Sequence, residues 1–232
     1  MNAGVARISV LIPVFDGERY LREAIESALC QTVTPEEVVV VDDGSRDRSV
    51  ALAIELGGRV RVVRQDHGGI GAARNRLVAE ATGEWVAFLD ADDRWIPSAL
   101  ADHLDVADTR PDADVVSGRV RQFISPELPQ TARARLVCPE GPMAGLHLGA
   151  SLIRRSAFFI IGEFRVDLKV GEFIDWWMRA REAGIVAASH EAVVLERRLH
   201  ENNTGRLHRA AVTDYLDVVR QALARRRSGG EK

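Results

Sequence analysis

Apolar positions in the first hundred residues alternate between two periods. Ile8-Ser9-Val10-Leu11-Ile12-Pro13 is a nearly continuous apolar run of strand length, and Tyr20, Leu21, Ala24, Ile25, Ala28 and Leu29 then recur at helical spacing. The pair repeats. Residues 37–42 predict a second strand and 49–56 a short helix ended by Gly57-Gly58. Residues 60–63 predict a third strand, 70–81 a third helix closed near Gly83, and 85–89 a fourth strand. Strands that are apolar on both faces and joined by helices imply a parallel, doubly wound sheet, which binds ligands beyond the carboxyl ends of its strands. Asp16, Asp42, Asp43, Asp66, His67, Asp90 and Asp92 all fall at those ends.

After Asp93 the pattern loosens. Residues 98–107 read as a helix and 114–124 as a strand, while 125–142 hold four prolines and read as an extended surface excursion. Regularity returns at Gly145, with a strand over 149–154, short helix 156–161, a helix with an apolar face over 173–183 and a last strand over 186–195. Residues 199–207 form a polar loop, and 210–227 an amphipathic helix before a Ser-Gly-Gly tail. No internal repeat is present.

With 232 residues, 46% of them hydrophobic, the chain can bury one full core. A net charge of −3 gives no general argument for nucleic acid, which is not expected as a partner. Residues 197–232 are locally basic, nine Lys/Arg against four Asp/Glu, which leaves open attraction to a nucleotide diphosphate or an anionic membrane. Cys30 and Cys138 lack metal or disulfide spacing, and no apolar run approaches the roughly 20 residues of a membrane span. A cytoplasmic location is expected, with peripheral contact at the inner face of a membrane left open. Oligomeric state is not legible.

The chemistry concentrates in three segments. Asp90-Ala91-Asp92-Asp93 follows an apolar strand directly, and carboxylates so crowded call for a cation or for solvation. Oxygen ligation suits Mg²⁺ or Mn²⁺ shared with substrate phosphates. Asp42-Asp43-Gly44-Ser45 presents carboxylates that could accept the imide N–H of uracil or thymine, or could cap the next helix. Gly68-Gly69-Ile70-Gly71-Ala72-Ala73-Arg74-Asn75 is glycine-rich without being a P-loop; its Arg74 could meet a nucleotide or hold Asp42 and Asp43 in place.

Taken in order, these segments resemble the family 2 glycosyltransferases of the GT-A fold. The likeness runs through residues 8–17, with Asp16 where Asn is usual, then 23–32, 40–47, 69–75 and the D-x-D of Asp90-Ala91-Asp92, and extends to about residue 205. It implies an α/β GT-A, Rossmann-like mixed sheet flanked by helices. A domain over 1–208 divides into a nucleotide- and metal-binding half (8–97) and an acceptor half (98–208), followed by a C-terminal helix and tail over 209–232. It also implies transfer of a sugar, with inversion, from a UDP- or dTDP-sugar to an unidentified hydroxyl-bearing acceptor, with Mn²⁺ or Mg²⁺ as cofactor.

The resemblance assigns Pro13, Phe15, Asp42, Asp43, Arg74, Asp90 and Ala91 to the nucleotide, and Asp92, Asp90 and His200 to the metal. His200 lies in Arg198-Leu199-His200-Glu201-Asn202-Asn203-Thr204, which is similar to the family's terminal R-x-H-x-x-N-S/T element. The catalytic base is left to two rivals, because Phe173 stands where the family's acidic residue is expected. They are Glu172 at the helix start and Asp175 one turn later, the latter equally well explained by the helix dipole or Arg179. Gly149, Ala150 and Trp176 are assigned to the donor sugar or the acceptor. Two other readings share the sheet: a sugar-1-phosphate nucleotidyltransferase, for which the opening loop lacks the expected Gly-Arg-Lys pattern, and a non-catalytic nucleotide-sugar-binding module.

Overall fold

The computed structural model describes residues 6–201, 203 and 212–229. The elements follow the two periods of the sequence: β1 (Ile8–Val14), α1 (Leu21–Leu29), β2 (Glu37–Asp42), α2 (Ser49–Leu56), β3 (Val60–Arg64), α3 (Ile70–Glu80) and β4 (Trp85–Phe88). The second half adds β5 (Arg94–Trp95), α4 (Ala99–Thr109), β6 (Val115–Ile124), α5 (Gln130–Arg133) and a 3₁₀ turn at Leu148–Ala150. It ends with β7 (Ser151–Arg154), α6 (Arg155–Ile161), α7 (Glu172–Glu182), β8 (Ala187–Leu199) and α8 (Val212–Gly229). The expected start of the last helix at Ala210 and most of the loop over 199–207, Thr204 included, lie outside the described residues.

One sheet runs in the order β3-β2-β1-β4-β7-β6-β8-β5. The first four strands are parallel, as their two-faced apolar runs require. Beyond them the sheet departs from the parallel pattern of the first hundred residues, as the GT-A resemblance implies. β7 enters antiparallel between β4 and β6, β8 runs parallel to β6, and β5 pairs antiparallel with β8, so the sheet is mixed. Alternate residues of β1 and β2 face opposite cores. Val10, Ile12, Val38 and Val40 pack with α1, α2 and α4, while Leu11, Val39 and Val41 pack with α3, α6 and α7.

Two departures matter for the site. Residues 125–142 are not merely an excursion: Pro129 sits at the N-terminal boundary of α5, where a missing N–H costs nothing, and Leu128, Ala132 and Leu136 bury a small core with Leu199. And β8 extends four residues past the expected Leu195, so that Arg198 and His200 arrive at the end of β4.

Candidate active site

Asp42 and Asp43 end β2 side by side but are used differently. The carboxylate of Asp43 accepts the Gly68 N–H and the Gln65 amide at 2.9 and 2.7 Å through Oδ1, and the Gly69 N–H at 2.9 Å through Oδ2, which also lies 2.9 Å from His67 Nδ1. Its acceptor sites are taken. Asp43 is therefore a pin for the glycine segment, which corrects its assignment to the base. Asp42 is fully buried; its Oδ1 accepts the Ser45 N–H at 3.2 Å, but its Oδ2 has no hydrogen-bond partner, the nearest cation being Arg64 Nε at 3.7 Å. A buried carboxylate oxygen left without a donor is costly, and at 0% exposure it is covered until a neighbouring side chain such as Arg64 moves. Phe15, 48% exposed, follows Val14, the residue of β1 that pairs with Asp42, and its ring centroid lies 4.2 Å from that of His67. Pro13 is buried within β1 and offers only backbone.

Within the glycine segment, Gly71 serves packing. A Cβ on Gly71 would strike the Arg165 carbonyl, so that glycine is needed for α3 to approach the loop before α7. Asn75 exchanges two hydrogen bonds with the Phe164 backbone, at 2.9 and 2.8 Å. Arg74 does not hold Asp42 or Asp43. Its Nη1 pairs with Glu172 Oε1 and its Nη2 with Asp90 Oδ1 at 2.9 Å, while Nε has no partner. Burial alone would raise the Asp90 carboxyl, but the guanidinium outweighs it and holds the group below the usual carboxylate range.

That guanidinium separates the two candidates for the base. Glu172, the first residue of α7, is buried against Arg74 and so joined to Asp90 of the acidic turn. Asp175 is joined to other partners: Arg179 Nε at 2.9 Å and Arg225 Nη1 of α8 at 3.8 Å. Trp176 is corrected outright. It has 0% exposure, stacks among Phe158, Phe164 and Phe173, and donates to the Gly162 carbonyl at 3.1 Å, so no sugar can reach it. Gly149 and Ala150 are also buried. A Cβ on Gly149 would meet Leu195 and His147 rather than open space, and its carbonyl accepts the Trp95 indole N–H at 2.7 Å.

At Asp92 the strand-end carboxylates meet β8. Asp92 Oδ2 lies 2.9 Å from His200 Nε2 and accepts the Asn203 amide at 3.2 Å; the same Asn203 accepts the His200 N–H at 2.7 Å, which fixes the turn. Asp93 is buried and accepts the Arg198 N–H at 2.8 Å; desolvation, then its acidic neighbours, push its carboxyl well above the usual range. Among the described residues no group of three or more His, Cys, Asp or Glu is gathered to hold an ion. Asp92 and His200 nonetheless fit one as a pair, because adjacent ligands on an octahedral ion at about 2.1 Å lie roughly 3 Å apart. Asp90, spent on Arg74, is not part of that pair.

One crevice residue escaped the sequence reading. His147 accepts the Gly149 N–H through Nδ1 at 3.2 Å, which leaves its ring proton on Nε2. Burial lowers its pKa, opposed by the nearby Asp90. Its only signal was a position inside the glycine-rich stretch from Gly145.

Residues 9–169 match the family model described as Glycosyl transferase family 2. The chain belongs to that family. The uncharacterized glycosyltransferase RT0329 of Rickettsia typhi is 29% identical over 209 residues, covering 85% of this chain and 65% of that protein. The uncharacterized glycosyltransferase YibD of Escherichia coli is 39% identical over 117 residues, 46% of this chain and 34% of that one. Among solved structures, TarS 1–349 of Staphylococcus aureus superposes with a TM-score of 0.67 at 23% identity, over 83% of this chain and 60% of that one. TarS 1–349 in complex with UDP-GlcNAc gives 0.67 at 22%, over 85% and 60%. These structures share the GT-A fold with this family 2 chain, which spans under two thirds of the length of each of these proteins.

Proposed function

We propose that this chain transfers a sugar from a UDP- or dTDP-sugar to a hydroxyl acceptor with inversion at the anomeric carbon. The observation that carries the reading is the Arg74 bridge, which brings a buried carboxylate on α7 to the acidic turn after β4. The donor's base would lie on Phe15 and, once Arg64 moves, give its imide N–H to Oδ2 of Asp42. That TarS is known in complex with UDP and with UDP-GlcNAc supports a uridine nucleotide.

Asp92 and His200 would hold a Mg²⁺ or Mn²⁺ ion, which when bound stabilises the charge of the departing diphosphate. Arg74 is drawn from Glu172 toward the donor phosphates, which unmasks the carboxylate. Glu172 then takes the acceptor's hydroxyl proton as its oxygen bonds to the anomeric carbon and the nucleoside diphosphate leaves from the opposite face. Asp175 stays with Arg179. Two cysteines that are both free suit the expected reducing, cytoplasmic setting.

Donor hydrolysis tests this directly. Wild-type protein with a panel of nucleotide sugars and Mn²⁺ should release UDP or dTDP, and Glu172→Gln and Asp92→Asn should each abolish release. Wild-type protein that binds UDP yet turns over no donor with any acceptor would favour a nucleotide-sugar-binding module instead.

A further inference from the structure

The outward face of α8 has a composition that the transfer reaction does not explain. Tyr215, Leu216, Val219 and Leu223 recur on one side of the helix and are 43%, 49%, 45% and 48% exposed. Arg220 and Arg227 are exposed beside them. Both acids of the helix are engaged by the body of the protein, although the Asp217 side chain stays 45% exposed. Asp214 accepts the Lys169 and Val170 N–H groups at 2.9 and 3.3 Å, and Asp217 pairs with Arg165 at 3.0 Å. Val218 and Ala222 are buried beneath. The helix therefore shows solvent an apolar stripe flanked by Arg220 and Arg227, with the half-exposed Asp217 ion-paired to Arg165.

We propose that this face of α8 docks on an anionic lipid surface, with the apolar stripe in the headgroup boundary and the arginines on lipid phosphates. Apolar side chains flanked by arginine are what such a surface attracts. A second copy of the chain fits less well. A twofold interface mates the patch with itself and sets arginine against arginine, while the half-exposed Asp217 is already paired with Arg165. The docked helix also touches the crevice wall. The Tyr215 ring lies 3.2 Å from where a Cβ on Gly171 would stand, and Gly171, with φ +84°, is the residue before Glu172. The helix thus links the lipid surface to the start of α7 and favours an acceptor carried in that surface.

Vesicle flotation of the full chain tests the docking without donor or metal, so it stands apart from the transfer reading. Vesicles of phosphatidylcholine with a quarter phosphatidylglycerol should bind the protein, and phosphatidylcholine alone should bind it much less. Arg220→Gln and Arg227→Gln should each weaken binding about fivefold, and Leu216→Gln with Leu223→Gln about tenfold or more. These positions are exposed, so unfolding temperature and donor hydrolysis in solution should hold. Equal binding to both vesicles, no binding, or unchanged binding by these variants would overturn the proposal. So would a concentration-dependent dimer that the leucine substitutions dissolve.

Discussion

Replacing Arg74 by Met removes the cation from two carboxylates at once, and the two losses differ. Arg74 and Glu172 are each 8% exposed as side chains, so that side counts as a broken buried pair, about 3–5 kcal/mol. Asp90 is 36% exposed, water screens it, and its share is at most about 1 kcal/mol. Since Nε has no partner, no third hydrogen bond is lost. Urea unfolding at pH 7.5 should show a loss of about 4 kcal/mol in Arg74→Met. Arg74→Lys should fall between, because one ammonium cannot span both carboxylates as a guanidinium fork does. The loss also has a pH dependence. Burial alone would raise the Asp90 carboxyl, but Arg74 holds it below its usual value, so its stabilisation is present above about pH 4 and fades as pH falls through the lowered pKa. The variant lacks that contribution at every pH. The gap between wild type and Arg74→Met should therefore narrow by up to about 1 kcal/mol below pH 4. A loss under about 1 kcal/mol at pH 7.5, or a gap that widens in acid, would refute the assignment of Arg74 as the buried clamp.

Glu172→Gln should lower turnover about 10²–10⁴-fold with UDP affinity retained, whereas Asp175→Asn should lower the unfolding free energy by about 3 kcal/mol and leave residual turnover; equal kinetic losses would return Asp175 to contention. Asp42→Asn turns an acceptor toward a donor at the imide, so calorimetry should show UDP binding weakened about tenfold or more, and unchanged affinity would remove Asp42 from the base site. Trp176→Ala should cost about 3–5 kcal/mol in denaturant unfolding with little change in donor KM below its midpoint; a selective rise in KM would mean the indole does meet a substrate. His200→Gln should abolish Mn²⁺-stimulated donor hydrolysis while thermal stability without metal shifts little, and full Mn²⁺ stimulation would exclude His200 as a ligand.

The parallel half of the fold was legible because its strands are apolar on both faces. Val38-Val39-Val40-Val41 has one reading. The second half was not, because β5 is only Arg94–Trp95, and β8 carries Glu196-Arg197-Arg198, whose charges hide strand periodicity until their partners are known. Those partners are distant in sequence: Glu196 bonds Arg94 and Arg121, and Arg198 stacks on Tyr20 and Phe123. Site residues divide the same way. Asp42, Asp92, His200 and Glu172, which the proposed reaction uses, are named by spacing and resemblance alone. The division of labour between Asp42 and Asp43 is not, because it depends on which backbone N–H groups the glycine segment brings to Asp43. Trp176 misled for a related reason. An indole at a helix start reads alike as packing or platform, and only the phenylalanines of α6 and the loop after it decide.

The acidic turn shows how crowded carboxylates are tolerated without an ion. Each of the three is assigned to a different basic residue: Asp90 to Arg74 of α3, Asp92 to His200, and Asp93 to the Arg198 backbone, both of the latter from the end of β8. Repulsion is offset at Asp90 by the Arg74 guanidinium and relieved at Asp93 by a raised pKa, while partners from both halves of the chain fasten the turn. The three attachments are not equally firm. Arg198 is locked by Ser125, Glu23 and the Asp92 carbonyl as well as by two aromatic rings, and His200 is held through Asn203. Arg74 has an unpartnered Nε and competes for two carboxylates. On the proposed reaction Arg74 would turn to the donor diphosphate at the cost of its buried pair with Glu172, and moving it would change the environment of Asp90 and Glu172 together.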